Sequence, residues 1–480
     1  MPRKKEVTID SALYINGKWI DKEEKILVKN PYNGEEVGSV AIAESEDVES
    51  AINAAKQAFI DFKNFPLHIR AKYLREIAQK IEEKKDLITR ILTLESGKAI
   101  RFSQGEVERA ISTFNFASIE ANKLSGKTVP MDAAKGGEGR MGFYIRVPLG
   151  PIAAITPFNF PLNLPAHKIG PAIAAGDTIV WKPSSETPLT AVLLTEIIEE
   201  IGIPPGVLNL VFGSGSKIGE MIAKHPDIKL VSFTGSVPVG RRIREISGMK
   251  KTLLELGSNS ALVVDEGVEN LKEVIDRAIV GAYANSGQVC ISIQRVYVHE
   301  SLFDEFSKLF VDESKKIKIG DPMDPDVLYG PMITEKEAER VELWVRNAID
   351  MGAKPLLLGK RDGSIVTPTV LSEVTEKMDV LSKEVFGPVV SIMPFKSFDD
   401  AIKEVNNSMY GLNAGIYTPK IANALKAIKE CEVGSVIIND YPTFRVDQMP
   451  YGGVKMSGMG REGPPFAIEE YTEIKFVCMR

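Results

Sequence analysis

Beyond residue 150 the sequence alternates short apolar segments with segments of helical periodicity, and this alternation limits the possible folds more than any other feature. The apolar segments of a first series are PIAAI, DTIVWKPS, VLNLVFG and IKLVSFTGS. Such alternation is typical of βαβ units that build a mostly parallel sheet. A second series begins near Ser260 and contains SALVVD, QRVYVHE, VVSIMPF and VGSVIIND. We therefore predict an α/β protein with two α/β domains in succession.

The preceding part of the chain is predicted to be largely helical. Apolar residues recur at helical spacing from Asp47 to Phe59 and again over residues 70–94, after which Gly97 is a candidate helix C-cap. Before these helices, residues 12–19 are predicted to form one short strand.

Charge and composition exclude two classes of partner. With 59 basic and 65 acidic side chains in 480 residues, the net charge is −6, so neither nucleic acid nor an anionic membrane is an expected partner. The uncharged stretch at 147–166 contains five prolines and is not expected to span a membrane. A small molecule or another protein chain is the expected partner.

The cysteines and the N-terminal residues favour a cytoplasmic location. The three cysteines have no paired spacing, which argues against a disulfide scaffold. No apolar core with a cleavage site follows the basic first ten residues, so no secretory signal is expected.

The four histidines do not cluster, and no set of ligating residues has metal-site spacing, so no metal is expected.

Three segments carry side chains suited to nucleophilic catalysis. Cys290 follows small or polar residues in ANSGQVCISIQR, Glu255 ends an apolar run in LLELGSNS, and Asn159 stands between prolines in ITPFNFPLN. For each residue taken alone, the sequence favours an ordinary structural role over a catalytic one. These roles are a buried cysteine, a strand-end carboxylate and an Asx-turn amide.

Two glycine-containing segments are candidates for binding phosphate. Each follows an apolar strand and opens a helix, where free backbone N–H groups and the helix dipole favour an anion. The segments are GSGSKIG, with Gly215, and FTGSVPVG, with Thr234, Gly235 and Ser236. Neither has the GxGxxG spacing, so each alone is a weak signal.

Seven motifs, taken in order, resemble those of the NAD(P)-dependent aldehyde dehydrogenase superfamily over nearly the whole chain. They are TPFNFPLN, WKPSSETP, FTGS, LELG, GQVC, EVFGP and PYGGVKMSGMGREG. The resemblance implies the family fold, with a Rossmann-type cofactor domain, an α/β catalytic domain and a small β oligomerisation arm. We expect the cofactor domain at 1–124 and 148–256 with 435–465 returning to it, the catalytic domain at 257–434, and the arm at 125–147 and 466–480.

The resemblance implies the roles of the three chemical residues. Cys290 matches the nucleophile, whose thiolate forms a thiohemiacetal and, after hydride transfer to the nicotinamide, a thioester. Asn159 matches the oxyanion hole together with the backbone N–H of Cys290, and one such donor is typically worth about 3 kcal/mol. Glu255 matches the base that activates water, and its presence favours hydrolysis over transfer to CoA.

The resemblance also implies cofactor contacts. Glu384 in KEVFGP matches the residue that binds the nicotinamide ribose, Phe386 packs beside it, and Lys182 matches the contact to the adenine ribose. Trp181 matches a residue of the adenosine pocket, although a core tryptophan fits equally well. The other expected contacts are Pro157, Gly215, Thr234, Gly235, Ser236 and Leu256.

One position bears on the choice of cofactor. NAD-preferring members of the family often carry glutamate three residues after the lysine of KPS, where it binds both ribose hydroxyls and repels a 2′-phosphate. Here that position is Ser185, and Glu186 follows it. A small hydroxyl leaves room for the phosphate, so NADP is the expected cofactor and NAD the alternative.

The expected substrate is a short aldehyde. Arg109 and Arg445 lie in segments that border the substrate entrance in relatives and suit a carboxylate, phosphate or hydroxyl, with exposed salt-bridging arginines as the alternative. AHKIGP, GQVCIS and FRVDQMPYGGVKMSG are most similar to the lactaldehyde and small-hydroxyaldehyde branch. The phosphorylated-triose branch carries arginine and tyrosine where this chain has Val289 and Phe160.

The expected activity is therefore NAD(P)-dependent oxidation of a short-chain aldehyde, of the 2-hydroxy type such as lactaldehyde, to the acid. The alternatives are a semialdehyde dehydrogenase of the succinic semialdehyde type, a non-phosphorylating glyceraldehyde-3-phosphate dehydrogenase and a catalytically silent structural relative. Retention of Cys290, Glu255 and Asn159 together argues against a silent relative.

Two segments resemble the oligomerisation arm of the family. Residues 125–147 are rich in glycine and alternating side chains, which indicates an exposed hairpin. The C-terminal EEYTEIKFV alternates as an edge strand does and is free to pair across subunits. A homo-oligomer, either dimer or tetramer, is expected.

Overall fold

A computed structural model of the chain describes residues 9–480, and residues 1–8, on which the expectation of no secretory signal partly rests, lie outside the described residues. The strands are β1 (Ile9–Ser11), β2 (Leu13–Ile15), β3 (Lys18–Ile20), β4 (Lys25–Lys29), β5 (Glu36–Ala41), β6 (Lys127–Val129), β7 (Met141–Pro148), β8 (Pro151–Ile155), β9 (Thr178–Lys182), β10 (Leu208–Leu210), β11 (Leu230–Thr234), β12 (Lys251–Glu255), β13 (Ala261–Val264), β14 (Arg295–His299), β15 (Lys354–Leu357), β16 (Arg361–Asp362), β17 (Ile365–Val366), β18 (Thr369–Ser372), β19 (Val389–Phe395), β20 (Tyr410–Gly411), β21 (Asn413–Tyr417), β22 (Ser435–Ile438), β23 (Val454–Lys455), β24 (Gly458–Met459) and β25 (Thr472–Met479).

Most of the α-helices connect successive strands of the two large sheets along the chain. They are α1 (Ser45–Phe62), α2 (Leu67–Glu83), α3 (Lys85–Ser96), α4 (Ile100–Ala121), α5 (Asn163–Ala175), α6 (Leu189–Glu200), α7 (Glu220–Lys224), α8 (Val237–Ile246), α9 (Leu271–Tyr283), α10 (Phe303–Ser314), α11 (Glu335–Asp350), α12 (Asp379–Ser382), α13 (Phe398–Asn406), α14 (Ile421–Glu430) and α15 (Pro464–Glu470). Among the described residues, no helix is long and apolar enough to cross a bilayer.

The first large sheet has the strand order β24-β12-β11-β8-β9-β10-β2-β3. The strands from β12 to β10 in this order are parallel to one another. Every residue of β8 and β9 is buried, as expected for a parallel sheet covered on both faces by helices. The four apolar segments of the first series are therefore confirmed as strands β8 to β11.

The carboxyl ends of three neighbouring strands bring sequence-distant residues to one edge of this sheet. In the register of the sheet, Ile155 pairs with Phe233, and Thr234 pairs with Glu255. The loop with Asn159 therefore begins beside the segment at 234–236 and beside the Glu255 carboxylate. Ligands of open α/β sheets bind outside this carboxyl edge.

The second large sheet has the order β15-β18-β19-β14-β13-β21-β22. All of its pairs are parallel apart from β15 with β18. SALVVD, QRVYVHE, VVSIMPF and VGSVIIND form β13, β14, β19 and β22, so the second α/β series is also confirmed. Separate apolar cores lie on the two sheets.

Three local predictions need correction. Residues 12–19 form a hairpin and not one strand, because Asn16 and Gly17 adopt positive φ angles of 52° and 74° and reverse the chain. Residues 70–94 form two helices, α2 and α3, which meet at Lys84, since apolar spacing continues across the junction. Gly97 is confirmed as the C-cap of α3, with a φ of 72°.

The predicted return of the chain to the first sheet at residue 435 is too early. β22 pairs in parallel with β21, with Asn413 opposite Ser435, and so belongs to the second sheet. The chain rejoins the first sheet only at β24, where Gly458 pairs with Glu255.

A third sheet has the order β25-β7-β6 and is antiparallel. β25 pairs along its whole length with β7, from Thr472 opposite Pro148 to Met479 opposite Met141. Large apolar side chains of this sheet are exposed in the single chain, among them Met141, Ile145, Ile474 and Phe476.

Candidate active site

Two cavities meet at Cys290. Cavity A, of about 500 Å³, opens at the carboxyl edge of the first sheet and is lined by Pro157, Phe158, Asn159, Thr234, Gly235, Ser236, Glu255, Leu256, Glu384 and Phe386 among others. Cavity B, of about 450 Å³, is lined by Lys98, Arg109, Phe160, Asn163, Val289 and Arg445 among others. Cys290, Tyr451 and Leu164 line both cavities, so the thiol is accessible from two sides.

The backbone before Cys290 is tightly turned. Asn285, Ser286 and Gly287 all have positive φ angles, of 53°, 59° and 73°. A Cβ on Gly287 would lie 2.3 Å from the carbonyl oxygen of Gly387, so this position of the motif requires glycine. This turn directs Cys290 towards the junction of the cavities.

Except where it faces the two cavities, the Cys290 thiol is surrounded by protein atoms. Its Sγ lies 2.8 Å from Tyr451 Oη. Burial raises the pKa of the Cys290 thiol to about 11, because a thiolate loses hydration in this position. The Cys290 thiol is therefore protonated at neutral pH.

Asn159 presents its amide beside the cysteine segment. Its Nδ2 donates a hydrogen bond of 3.1 Å to the Gln288 carbonyl oxygen, two residues before Cys290. A side-chain amide has two N–H donors, so the second remains for an oxygen in cavity A. This geometry suits a donor to a developing oxyanion at the cysteine.

Glu255 is a buried carboxyl at the end of β12. Among the described residues, its Oε2 has no hydrogen-bond partner. Burial, and secondarily the nearby Glu462, raise the pKa of Glu255 well above its ordinary value. A carboxyl with a raised pKa suits proton exchange with water near neutral pH.

Glu462 carries the negative charge beside Glu255. It forms ion pairs with Lys168 at 3.0 Å and with Arg445 at 3.1 Å. Burial opposes ionisation of Glu462, but Lys168 and then Arg445 hold its pKa at about 2. The buried cations around the site are thus neutralised by a carboxylate other than Glu255.

The segment at 234–236 lines cavity A with backbone groups and small side chains. Gly235 N donates to the Glu255 carbonyl oxygen at 3.0 Å, and Ser236 is the N-cap residue of α8. Thr234 Oγ1 is buried and has no partner among the described residues. A helix N-terminus with a spare hydroxyl favours an anionic ligand such as a pyrophosphate.

Glu384 and Phe386 form the opposite wall of cavity A. Glu384 Oε1 accepts a 2.9 Å hydrogen bond from Ser258 N, and burial raises the pKa of Glu384 to about 7. Phe386 packs edge-to-face on Phe158, with centroids 5.9 Å apart. A Cβ on Gly257 would lie 2.3 Å from Glu384 Oε2, which explains the glycine of LELG.

Three expected cofactor residues lie together outside the lining of cavity A. Lys182 Nζ donates to the Pro183 carbonyl oxygen at 2.8 Å, and burial lowers the pKa of Lys182 to about 8. Ser185 Oγ donates to the Gly213 carbonyl oxygen at 3.2 Å. Gly215 is exposed and opens a single π-helical turn that follows this contact.

Trp181 takes the core role of the two roles that its sequence allowed. Its side chain is fully buried, and its Nε1 donates to Thr156 Oγ1 at 3.0 Å. The side chain packs within the core of the first sheet.

The two candidate substrate arginines both line cavity B. Arg445 has a side chain only 6% exposed, so the alternative of an exposed salt-bridging arginine is wrong for this residue. Arg109 is 29% exposed at its side chain and forms a two-point pair with Asp447 at 2.8 and 3.2 Å. Asp447 also accepts from Asn163 Nδ2 at 3.0 Å.

The sequence alone did not single out several residues of the two cavities. Lys98 is buried against Glu106, with its Nζ 4.0 Å from the centroid of the Phe160 ring. Arg340 and Trp344 line the mouth of cavity A, far along the chain from the motifs. Tyr451 stood within a recognised motif, PYGG, but nothing in the spacing indicated its contact with Cys290.

Within residues 9–480, no group of three or more His, Cys, Asp or Glu side chains is placed to hold a metal ion.

Comparisons with known proteins agree with this site. The aldehyde dehydrogenase family matches residues 19–477. The 3-sulfolactaldehyde dehydrogenase of Priestia aryabhattai is 44% identical over 471 residues, which cover 98% of each chain. The lactaldehyde dehydrogenase of Methanococcus aeolicus is 41% identical, over 97% of this chain and 99% of that protein.

Solved structures are similar over the same length. Aldehyde dehydrogenase 21 from Physcomitrella patens, in complex with the reaction product succinate, has a TM-score of 0.96 and 38% identity over 98% of each chain. The NADP-dependent glyceraldehyde-3-phosphate dehydrogenase of Bacillus halodurans, complexed with NADP, has a TM-score of 0.95 and 34% identity over 98% and 99%. Betaine aldehyde dehydrogenase of Staphylococcus aureus, in complex with NAD+, has a TM-score of 0.93 and 32% identity over 98% and 94%.

The second of these structures holds NADP and the third holds NAD+, in the same fold. Sequence match, fold and the convergence of Cys290, Glu255 and Asn159 on one cavity agree, and the chain belongs to the aldehyde dehydrogenase family.

Proposed function

We propose that this enzyme oxidises a short-chain 2-hydroxyaldehyde of the lactaldehyde type to its carboxylic acid, with NAD(P) as the hydride acceptor. The observation that carries the proposal is the position of Cys290 at the junction of two cavities. One cavity has the polar groups that suit a dinucleotide, and the other has the arginines that suit a small polar aldehyde.

The residues of cavity A fit a nicotinamide dinucleotide. The N-terminus of α8 and Thr234 Oγ1, which has no partner among the described residues, line the cavity and suit a pyrophosphate. The Glu384 carboxylate suits ribose hydroxyls, which need polar partners when buried. Gly257 allows the Glu384 carboxylate to lie close to the backbone, since a Cβ there would lie 2.3 Å from Glu384 Oε2. When bound, the nicotinamide would supply the carbon that accepts the hydride.

Covalent catalysis begins at Cys290. The thiolate attacks the carbonyl carbon, an S–C bond forms, and the carbonyl electron pair moves onto oxygen to give a thiohemiacetal. Asn159 Nδ2 and the backbone N–H of Cys290 donate to that oxygen. Loss of hydride from the same carbon leaves a thioester on the sulfur.

Hydrolysis of the thioester depends on Glu255. Its carboxylate removes a proton from water, and the hydroxide formed adds to the thioester carbon. The S–C bond then breaks, the acid departs, and Cys290 regains its electron pair. Glu255 and Cys290 line the same cavity, so a water molecule in cavity A can reach both groups.

We propose NADP as the preferred cofactor. Ser185 is small, half-buried and engaged with the Gly213 carbonyl, so it leaves space near the Lys182 cation for a 2′-phosphate. Glu186, which follows, is exposed to solvent. The fold accommodates both nicotinamides in solved relatives, so NAD is the alternative.

A second candidate substrate carries an anionic group at its far end, as in 3-sulfolactaldehyde or succinic semialdehyde. The observation in its favour is Arg445 Nε, which is buried without a partner among the described residues. A sulfonate or carboxylate oxygen in cavity B would satisfy this donor. Val289 and Phe160, both apolar, line the same cavity and do not favour a phosphate.

We also infer a cytoplasmic homo-oligomer. Exposed Ile145, Ile474 and Phe476 lie on the β25-β7-β6 sheet, where a second copy would cover them. Cys290, Cys431 and Cys478 are all free thiols, which suits a reducing compartment.

The substrate proposal is tested with a panel of aldehydes and both nicotinamides. The panel contains lactaldehyde, glycolaldehyde, glyceraldehyde, its phosphate, 3-sulfolactaldehyde and succinic semialdehyde. We expect the highest kcat/KM with an uncharged 2-hydroxyaldehyde, such as lactaldehyde, and with NADP. A higher value with 3-sulfolactaldehyde, succinic semialdehyde or glyceraldehyde phosphate than with every uncharged 2-hydroxyaldehyde would contradict the proposal.

A further inference from the structure

The backbone of Tyr451, whose hydroxyl contacts the Cys290 sulfur, is fixed by an isolated antiparallel bridge to Glu462. Tyr451 N donates to the Glu462 carbonyl oxygen at 3.1 Å, and Glu462 N donates to the Tyr451 carbonyl oxygen at 2.7 Å. The phenol ring is buried and lines both cavities. Its Oη lies 2.8 Å from Cys290 Sγ, so the contact is set by the fold and not by a mobile side chain.

Arg445 lies on the face of the same ring. The centre of its guanidinium is 3.6 Å from the Tyr451 ring centroid, and its Nη2 is paired with Glu462 Oε2. A cation on the face of a phenol is attracted to the ring and withdraws electron density from the hydroxyl. The O–H therefore becomes a better hydrogen-bond donor. Glu462 fixes both partners, the tyrosine through its backbone and the arginine through its carboxylate.

The charged groups around Cys290 divide into two sets. Burial disfavours a negative charge on the sulfur most strongly, and Glu384 and then Glu255 disfavour it further. Tyr451 and Arg445 favour that charge. The Cys290 thiol is protonated at neutral pH. The groups that stabilise a thiolate therefore determine the fraction of Cys290 that is ionised and able to attack.

We propose that the Tyr451 hydroxyl is a catalytic group of this enzyme, which donates a hydrogen bond to the Cys290 thiolate, holds the sulfur at the junction of the two cavities and stabilises it for attack. The proposal rests on Cys290 being the nucleophile, as proposed above. The thiol proton leaves to water, the sulfur electron pair forms the S–C bond, and Tyr451 keeps its own proton throughout. The same hydrogen bond receives the sulfur again when the thioester is hydrolysed.

The test compares Tyr451→Phe with a matched control. The substitution removes one oxygen and keeps the ring on which Arg445 packs. Tyr329→Phe removes an equally buried phenol oxygen, which donates to the Val366 carbonyl at 3.0 Å and lies outside both cavities. The readout is the rate at which iodoacetamide alkylates Cys290 between pH 7 and 11, assigned by peptide mass and measured on the full-length enzyme without cofactor.

We expect Tyr451→Phe to move the alkylation midpoint to higher pH by about one unit, which is about a tenfold slower reaction at pH 8. The pre-steady-state burst of reduced cofactor should slow by a similar factor, with the KM for aldehyde nearly unchanged. Tyr329→Phe should leave both readouts at their wild-type values. A tyrosine that serves packing alone would not shift the alkylation midpoint.

A second variant tests a shift of the alkylation midpoint in the opposite direction. It does not require position 451 to tolerate phenylalanine. Difluorotyrosine at position 451 keeps the hydroxyl and makes it more acidic, so the alkylation midpoint should move to lower pH. Unchanged midpoints in both the Phe and the difluorotyrosine enzymes would overturn the proposal. Cys290→Ala separates it from the proposed function, because turnover by that variant would refute the nucleophile itself, whereas an inactive Cys290→Ala with a normal Tyr451→Phe would refute only the role of Tyr451.

Discussion

Asn159 Nδ2 donates a 3.1 Å hydrogen bond to the carbonyl oxygen of Gln288, and this bond ties the loop after β8 to the segment that carries Cys290. The loop belongs to the first sheet and the cysteine segment precedes β14 of the second. The proposed oxyanion donor and the proposed nucleophile therefore come from segments of different sheets, and one buried hydrogen bond joins these segments.

Asn159→Ala should lower kcat by about a hundredfold to a thousandfold with little change in the KM for aldehyde, because the lost donor acts on the developing oxyanion. The measurement is steady-state kinetics with the best aldehyde of the panel. Asn209→Ala is the matched control, since its buried amide donates to the Gly206 carbonyl at 2.8 Å and lies outside both cavities. It should lower the melting temperature and keep kcat. Equal losses of kcat in the two variants would contradict the oxyanion role.

Glu255→Gln should retain a burst of about one reduced cofactor per active site and lose most of its steady-state rate. The amide keeps the size of the side chain and cannot take a proton from water. Stopped-flow absorbance of the reduced cofactor checks both phases. Normal steady-state turnover by this variant would remove Glu255 as the base.

Glu384 should make cofactor binding depend on pH. Burial raises the pKa of Glu384 to about 7, so the carboxyl is protonated below that pH and ionised above it. The ionised form accepts stronger hydrogen bonds from ribose hydroxyls. The KM for cofactor should therefore fall as pH rises from 6 to 8, by up to about tenfold. Glu384→Gln should give a flat profile over the same range, and a wild-type profile that is already flat would contradict this role.

Raised carboxyl pKa values also predict a stability effect. A group whose folded pKa exceeds its unfolded value binds more protons in the folded state, so its contribution to stability is lost as pH rises through the folded pKa. For Glu384 that window lies between the ordinary carboxyl range and about pH 7. The melting temperature of Glu384→Gln should fall less than that of the wild type between pH 5 and 8, as followed by thermal denaturation without cofactor. An equal fall in both would show that Glu384 does not carry the effect.

Ser185→Glu should weaken NADP use much more than NAD use, because a carboxylate there repels the 2′-phosphate and binds the ribose hydroxyls instead. The ratio of kcat/KM for the two cofactors is the measurement. Ser185→Ala serves as the control, since it removes the hydroxyl without adding charge. An equal effect of Ser185→Glu on both cofactors would remove the basis for NADP preference.

The sequence predicted the sheets well because buried parallel strands are continuous apolar runs, as in PIAAI and SALVVD. It failed at residues 12–19, where only the left-handed backbone of Asn16 and Gly17 separates a hairpin from a strand. The sequence also failed to predict that the strand beginning at residue 435 belongs to the second sheet. The apolar residues of a strand do not indicate which sheet the strand will join.

In the candidate site, too, the sequence predicted some features and missed others. Cys290, Glu255 and Asn159 stand in motifs specific enough to be chosen from the sequence, and the structure places all three on cavity A. The contact of Tyr451 with Cys290 and the burial of Arg445 depend on side chains from distant segments. Spacing along the chain holds no information about such contacts.

The central claim is that Cys290 is transiently acylated by the aldehyde. The most direct measurement is peptide mass spectrometry of Glu255→Gln, acid-quenched within one turnover of lactaldehyde and NADP. We predict an acyl group of the lactoyl mass on the peptide that contains Cys290, at close to one per active site, and none when cofactor is omitted. Full formation of reduced cofactor with an unmodified Cys290 peptide would contradict the account.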